Sequence, residues 1–409
     1  MLDTPFPPWP SFSIEEAKAV QTTLLSNKVN YWTGDETRNF ECEFAKFAGT
    51  DYAVALANGT LALDVALKAI GIGPGDDVVV TPRTFIASIS TVVTAGARPV
   101  FADVNRESQN LSAATIEAAL TPATKAIIIV HLAGMPADMD AVMVLAESRG
   151  IKVIEDCAQA HGAMYKKRSV GSIGHVAAWS FCQDKIMSTG GEGGMVTTND
   201  KALWSAMWSY KDHGKSHEAV YEKKHAPGFR WVHESFGTNW RMLELQAVIG
   251  RIQLQRMPEW HRTRLGHATR IWDACDTIEW LRVPAIADEF VHAAYKCYVF
   301  VNPESLPKEW SRDRIVNAIL SNGVPCYQGS CSEVYLESAF EGTDYRPAIR
   351  LPVARELGET SLMFLVHPTL EAEHIDRTIS AIKAVAGEIQ KAWQVQLNGN
   401  AQTVGTVVQ

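Results

Sequence analysis

The chain has 409 residues, 46% of them apolar and 21% charged, and a net charge of −8. That length exceeds the size at which a single hydrophobic core stops growing, and the composition is that of a globular protein rather than a disordered one. No basic block is longer than Lys166-Lys167-Arg168 and no apolar run is long enough to span a bilayer, which argues against nucleic-acid and membrane partners.

Residues 1–11 lack the basic and apolar regions of a secretory signal, so none is expected. Ser13-Ile14-Glu15-Glu16 is a capping box that opens a helix running to about Ser26. A second helix is predicted over Glu36–Phe47, ending at Gly49. Short β-rich runs then follow at Tyr52–Leu56, Asp77–Thr81, Pro99–Ala102, Ala126–Val130, Lys152–Glu155, Val176–Ser180 and Met195–Thr198. Amphipathic segments lie between most of the first five: Leu61–Ile70, Ile86–Ala95, Ala113–Leu120 and Asp140–Ser148. This alternation predicts an α/β fold with a mostly parallel sheet and helices on both faces. Ligands of such sheets sit beyond the carboxyl ends of the strands.

After Arg241 a long helix to about Ile271 leads to a strand at Tyr295–Val301, a helix at Ser311–Ser321 and a last helix at Glu371–Gln390. The organisation expected is a large domain over 1–250, a smaller α+β domain over 251–393 and a flexible polar tail over 394–409. The seven cysteines are scattered, odd in number and without a C-x-x-C pair, which predicts a reducing, cytoplasmic setting and no metal site.

Chemistry is expected at the strand ends. Asp156 follows the strand Lys152–Glu155, where a carboxylate either caps a following helix or serves a ligand. Lys185 follows Val176–Ser180 and precedes Gly190-Gly191-Glu192-Gly193-Gly194. Burial at a strand end favours the uncharged, nucleophilic amine, and the glycines allow backbone to approach a flat ligand. Asn58-Gly59-Thr60 opens a helix, where free N–H groups and the helix dipole can seat a phosphate, and Ser180 can add a hydroxyl. Phe85 can stack on a ligand or pack in the core. Phosphate seat, aromatic, acid and lysine occur in the order a pyridoxal-phosphate site requires.

The runs Ile154-Glu155-Asp156-Cys157-Ala158-Gln159-Ala160-His161-Gly162-Ala163, Gly171-Ser172-Ile173-Gly174 and Trp179–Lys185 with the following glycines resemble the DegT/DnrJ/EryC1/StrS sugar aminotransferases. Asn58–Leu63, Thr84–Ser88 and Asn239-Trp240-Arg241-Met242 extend the resemblance. It implies an aspartate-aminotransferase-like fold (fold type I), pyridoxal 5′-phosphate as cofactor, and a homodimer with shared sites. Carried onto this chain, it implies that Lys185 binds the cofactor aldehyde, Asp156 pairs with the ring nitrogen and Gln159 with the ring hydroxyl. Phe85 would lie against the ring. Gly59, Thr60 and Ser180 would hold the phosphate, with Asn239 reaching it from the partner subunit unless it merely caps the long helix. Arg83, His161 and His213 are candidates for substrate contact. The implied reaction moves an amino group from L-glutamate to a nucleotide-linked keto-sugar, with position C4 favoured by the run Asp184–Gly190, in amino-sugar or surface-polysaccharide (lipopolysaccharide, O-antigen) synthesis. A keto-cyclitol aminotransferase and a pyridoxal-phosphate-binding regulator without turnover are the alternatives.

Overall fold

The computed structural model describes residues 6–405. The capping box forms: the Ser13 side chain accepts from the Glu16 N–H and the Glu16 carboxylate accepts from the Ser13 N–H, starting α1 (Ile14–Leu25). Helix α2 (Glu36–Ala48) stops at Gly49, which takes the left-handed conformation at φ +70° that glycine adopts without steric cost. There follow β1 (Tyr52–Leu56), α3 (Gly59–Ala69), β2 (Asp77–Val80), α4 (Ala87–Thr94), β3 (Arg98–Phe101), α5 (Ala113–Ala119), β4 (Thr124–Val130), α6 (Met139–Arg149) and β5 (Lys152–Asp156). Two short strands, β6 (Met164–Tyr165) and β7 (Arg168–Ser169), precede β8 (Val176–Ser180) and β9 (Gly194–Thr198). Then come α7 (Lys201–Lys211), α8 (His217–Tyr221) and the long α9 (Glu244–Asp276). The remainder is β10 (Leu281–Arg282), β11 (Phe290–Val291), β12 (Cys297–Val301), α10 (Arg312–Ser321), α11 (Pro352–Thr360), β13 (Ser361–Phe364) and α12 (Ala372–Gly405).

Seven strands make one sheet in the order β1-β9-β8-β5-β4-β2-β3. All are parallel except β9, which runs against both β1 and β8. Alternate residues feed two cores. Ala55, Val79, Ile127, Val153 and Trp179 pack on one face, and Val54, Val78, Ile128, Ile154 and Val176 on the other. Burial on both faces is why these strands read as unbroken apolar runs rather than as polar–apolar alternation.

A third core gathers around the antiparallel sheet β10-β12-β13, with Ile271 and Trp272 of α9, Ile315 and Ile319 of α10 and Ile375 and Ile382 of α12. Helix α9 runs unbroken across residue 250; it packs against α1 and α2, and against β10, β12 and α12. It begins at Glu244, three residues after the expected Arg241, because Arg241 pairs in a bridge with Leu56. Strand β12 starts at Cys297 rather than Tyr295, whose N–H donates instead to the Ala133 carbonyl. The expected polar tail is corrected over 394–405, which continue α12. Extending an existing helix carries no nucleation cost, so a stretch without an apolar period can still propagate it. Residues 406–409 lie outside the described residues.

Candidate active site

The carboxyl ends of β1, β5 and β8 open into one cavity of about 670 Å³. Gly59, Thr60, Phe85, Asp156, Gln159, Ser180 and Lys185 all line it. Residues far apart in the chain meet because parallel strands deliver their ends to the same edge.

Asp156 ends β5 and is 6% exposed. One carboxylate oxygen accepts from the Ser88 hydroxyl at 2.8 Å and the other from the Ala158 N–H at 3.1 Å. No helix follows it, so the helix-cap role falls away. Burial raises its pKa, and the Ser88 and Ala158 bonds and the Lys185 charge only partly oppose that. A buried carboxylate so placed is short of a cationic donor, which a protonated ring nitrogen would supply.

Gln159 accepts the Ala133 N–H on Oε1 at 2.8 Å. Because that donor fixes which end is oxygen, the Gln159 NH₂ is the end left to donate. Lys185 lies on the loop between β8 and β9. Its Nζ is 3.4 Å from Asp184 Oδ2 and 5.4 Å from the centre of the Tyr295 ring. The Tyr295 hydroxyl donates to the same Asp184 oxygen at 2.5 Å. Burial pushes the Asp184 carboxyl up, but Lys185 and Tyr295 outweigh it and hold the group below its ordinary range.

At the head of α3 the Asn58 side chain accepts from the Leu61 N–H at 3.0 Å. The Gly59 and Thr60 N–H groups have no partner among the described residues and remain available to an anion. A Cβ on Gly59 would stand 2.5 Å from the Ser180 Cβ, so only glycine lets this turn reach β8. Phe85, 67% exposed, is a wall of the cavity and not a core residue. Free N–H groups, a donor amide, a buried carboxylate and a lysine amine thus suit the phosphate, ring hydroxyl, ring nitrogen and aldehyde of pyridoxal phosphate.

Four sequence candidates are not in this cavity. Arg83 is fully buried, giving Nε and Nη2 to Gln109 Oε1 at 3.1 and 2.9 Å and lying 5.2 Å from the Tyr298 ring centre. His161 is also fully buried, against Trp179 and Phe181, where burial first and then the Lys185 and Arg264 charges push its pKa down to about 3. Substrate contact by either residue is therefore corrected: partners distant in sequence, Gln109 and Tyr298 for Arg83 and the Trp179 and Phe181 rings for His161, take both side chains inside. His213 and Asn239 are exposed and line no part of the cavity. Asn239 pairs with Asp212 in a bridge and does not cap α9, whose N-cap is Leu243.

Ser88, Asp184, Tyr295, Lys296, Ser330, Cys331 and Glu337 also line the cavity and were not assigned a role from sequence. Ser88 and Asp184 carried a signal, each lying within a run that supports the resemblance; Ser88 shares a 3.0 Å hydrogen bond with Thr84. Asp184 comes with Lys185 on the β8–β9 loop, and Tyr295, Lys296, Ser330, Cys331 and Glu337 arrive from the smaller sheet and its loops.

A model of the DegT/DnrJ/EryC1/StrS aminotransferase family matches residues 10–383. The chain belongs to that family. An aminotransferase from Psychrobacter cryohalolentis of known structure is 62% identical, with a TM-score of 0.93 over 94% of this chain and all of that one. The spore coat polysaccharide biosynthesis protein SpsC of Bacillus subtilis is 34% identical over 92% of this chain and 95% of its own. The dTDP-3-amino-3,4,6-trideoxy-alpha-D-glucose transaminase of Streptomyces venezuelae is 32% identical over 92% and 94%. This DegT-family aminotransferase is a pyridoxal-phosphate enzyme with a mixed, mostly parallel α/β sheet. Among the described residues no helix is long and apolar enough to cross a membrane.

Proposed function

We propose that the enzyme transfers the amino group of L-glutamate to a nucleotide-linked keto-sugar, making an amino sugar for a surface polysaccharide such as lipopolysaccharide O-antigen, in the cytoplasm. The observation that carries this reading is the convergence of Lys185, Asp156 and Gln159 on one cavity that shares Ser330, Cys331 and Glu337 as lining with a second hollow of about 450 Å³. Such an extended site suits a long acceptor better than a bare ring. The name of the Streptomyces relative, which describes a nucleotide-linked amino sugar, supports the same class.

When bound, pyridoxal phosphate supplies an electron-withdrawing ring that takes up the electron pair left as a substrate carbon loses its proton. Lys185 would hold the cofactor aldehyde at rest and, once free, its Nζ would take and return the proton at the substrate carbon. Asp156 stabilises a positive ring nitrogen, and Gln159 donates its amide to the ring hydroxyl. Gly59, Thr60 and Ser180 grip the phosphate while Phe85 covers one face of the ring. Asn239 completes the phosphate seat from the partner subunit, and His213, whose N–H donates to the Thr238 carbonyl beside Asn239, contacts the substrate. Phe229, Trp231 and Phe236, at 74%, 83% and 100% exposure in the segment before Asn239, support a second copy of this chain as the partner.

The test is a panel in which purified enzyme and glutamate meet UDP-, dTDP- and GDP-linked 4-keto-sugars and a keto-cyclitol, with amine products scored by mass and position by NMR. Amination at C4 of a nucleotide sugar is expected; the Streptomyces relative's name makes C3 the competing position. Turnover of the cyclitol alone would overturn the reading, and no turnover of any acceptor would favour a regulator.

A further inference from the structure

Behind the cavity lies a polar cluster that the reaction does not touch. Neighbouring residues of a strand point to opposite faces, so while Asp156 faces the cavity, Glu155 points away from it. Glu155 is fully buried yet well supplied with donors. Its carboxylate accepts from His131 Nε2 at 3.0 Å and from the N–H groups of Gly171, Ile173 and Gly174 at 2.8, 2.8 and 2.5 Å. His131, also fully buried, accepts the Ala137 N–H on Nδ1 at 3.1 Å, which places the ring proton on Nε2. With one ring nitrogen accepting and the other donating, His131 has no lone pair for a metal. The nearby Cys157 thiol is held protonated by burial, and then by the Glu155 and Asp156 charges. The cluster is therefore not a metal centre.

Its other end is the loop after β4. Ala133 there adopts φ +58°, a left-handed conformation that an alanine keeps only when its surroundings impose it. The Gly134 N–H donates to the His131 carbonyl, the Leu132 N–H to Asn110 Oδ1 at 3.0 Å, and the Ala133 N–H to Gln159 Oε1.

We propose that His131 is a positioning residue for Gln159. Anchored on the Glu155 carboxylate and gripping the Ala137 amide, its ring fixes residues 131–137 so that the Ala133 N–H holds the Gln159 oxygen and leaves the Gln159 nitrogen to meet the cofactor's ring hydroxyl. This rests on Gln159 meeting that hydroxyl, as proposed above.

The test uses the cofactor-loaded enzyme and reads the pH midpoint of its visible absorption, which reports the proton shared between the ring hydroxyl and the Lys185 nitrogen. A donor to the ring oxygen draws charge from it and loosens that proton, so losing the donor raises the midpoint. Gln159→Ala should raise it by about one pH unit, the size expected for one hydrogen bond to a charged oxygen. His131→Phe should move it the same way by a comparable amount, and the double variant should go no further than Gln159→Ala alone, because the two act in series. Amide exchange over 132–135 should also quicken in His131→Phe. A His131→Phe enzyme with an unmoved midpoint, or a double variant whose shifts add, overturns the positioning role while leaving Gln159 in place. An unmoved midpoint in Gln159→Ala overturns the role of Gln159 and this inference together. Should His131→Phe fail to fold, His131→Asn keeps an acceptor for Ala137 but cannot reach Glu155. It should then show a smaller shift of the same sign, and no shift refutes the proposal.

Discussion

Replacing Asp156 with asparagine separates a charge from a shape. The amide keeps an oxygen for the Ala158 N–H and can donate to the Ser88 hydroxyl, whose own proton can then turn to Thr84, 3.0 Å away. The side chain is the same size, so no cavity opens. Without cofactor the variant should even gain stability. The folded pKa of Asp156 lies above its unfolded value, so ionisation is penalised in the folded protein. That penalty grows as pH rises from the ordinary carboxylate range through the folded value and is fully present above it; asparagine removes it. With cofactor the sign reverses. A carboxylate about 4 Å from a cationic nitrogen, at an effective dielectric near 20, is worth about 4 kcal/mol. Losing that in the transition state lowers kcat close to a thousandfold. The assay pairs thermal melts of cofactor-free protein with stopped-flow measurement of the half-reaction with glutamate. Asp156→Asn is expected to melt no lower than wild type while reacting at least a hundredfold more slowly. A melt unchanged and a rate within threefold of wild type would refute the charge argument, and a fall in cofactor-free stability would refute the desolvation argument.

Borohydride reduction of the loaded enzyme should fix the cofactor to the peptide containing Lys185, and label on any other lysine would end that assignment. Phe85→Ala should cost less than about 1 kcal/mol of stability because the ring is mostly exposed, yet weaken cofactor binding about tenfold, as equilibrium titration would show. Arg83→Ala should do the opposite. Stranding buried Gln109 and emptying a filled site costs about 2 to 4 kcal/mol, seen as a lowered Tm, with the acceptor KM unchanged. Lys185→Ala and Asn239→Ala chains, each weakened alone, should regain a sizeable fraction of activity when co-refolded, since a mixed dimer would carry both lesions in one site. Mixed dimers proven by mass but without recovery would place Asn239 in its own subunit's chemistry.

Some of this molecule is written locally and some is not. Strands β1 and β8 are bounded as their apolar runs predict, because a run buried on both faces starts and stops with its hydrophobicity. Lys185, Asp156 and Gly59 are legible for the same reason: each sits at the end of such a run. Arg83, a candidate only through the resemblance, lies two residues before Phe85, yet it is buried in the core while Phe85 is exposed in the cavity. Tyr295 and Lys296 were out of reach because they lead into β12 of the other sheet, and nothing near them in sequence shows that this stretch meets the Lys185 loop, as the Tyr295–Asp184 hydrogen bond does. His131 resembles any residue following a strand until Glu155 is seen beside it.

The reversed strand β9 decides how freely the reactive amine can move. A parallel successor to β8 would need a crossover, carrying the chain over the sheet before it returned. Instead the Lys185 loop leaves β8 and re-enters the sheet beside it, and the Phe181 N–H closes its neck by donating to the Gly193 carbonyl at 2.8 Å. Farther out, the Ser188 N–H is held by Gln253 of α9 and the Lys185 carbonyl by the Trp9 indole, each at 2.8 Å. The root of the lysine is thus pinned on three sides, and its amine explores only the volume swept by its own side-chain bonds. Confinement of that kind raises the local concentration of the nucleophile far above anything a free amine reaches in solution, with the entropy already surrendered during folding.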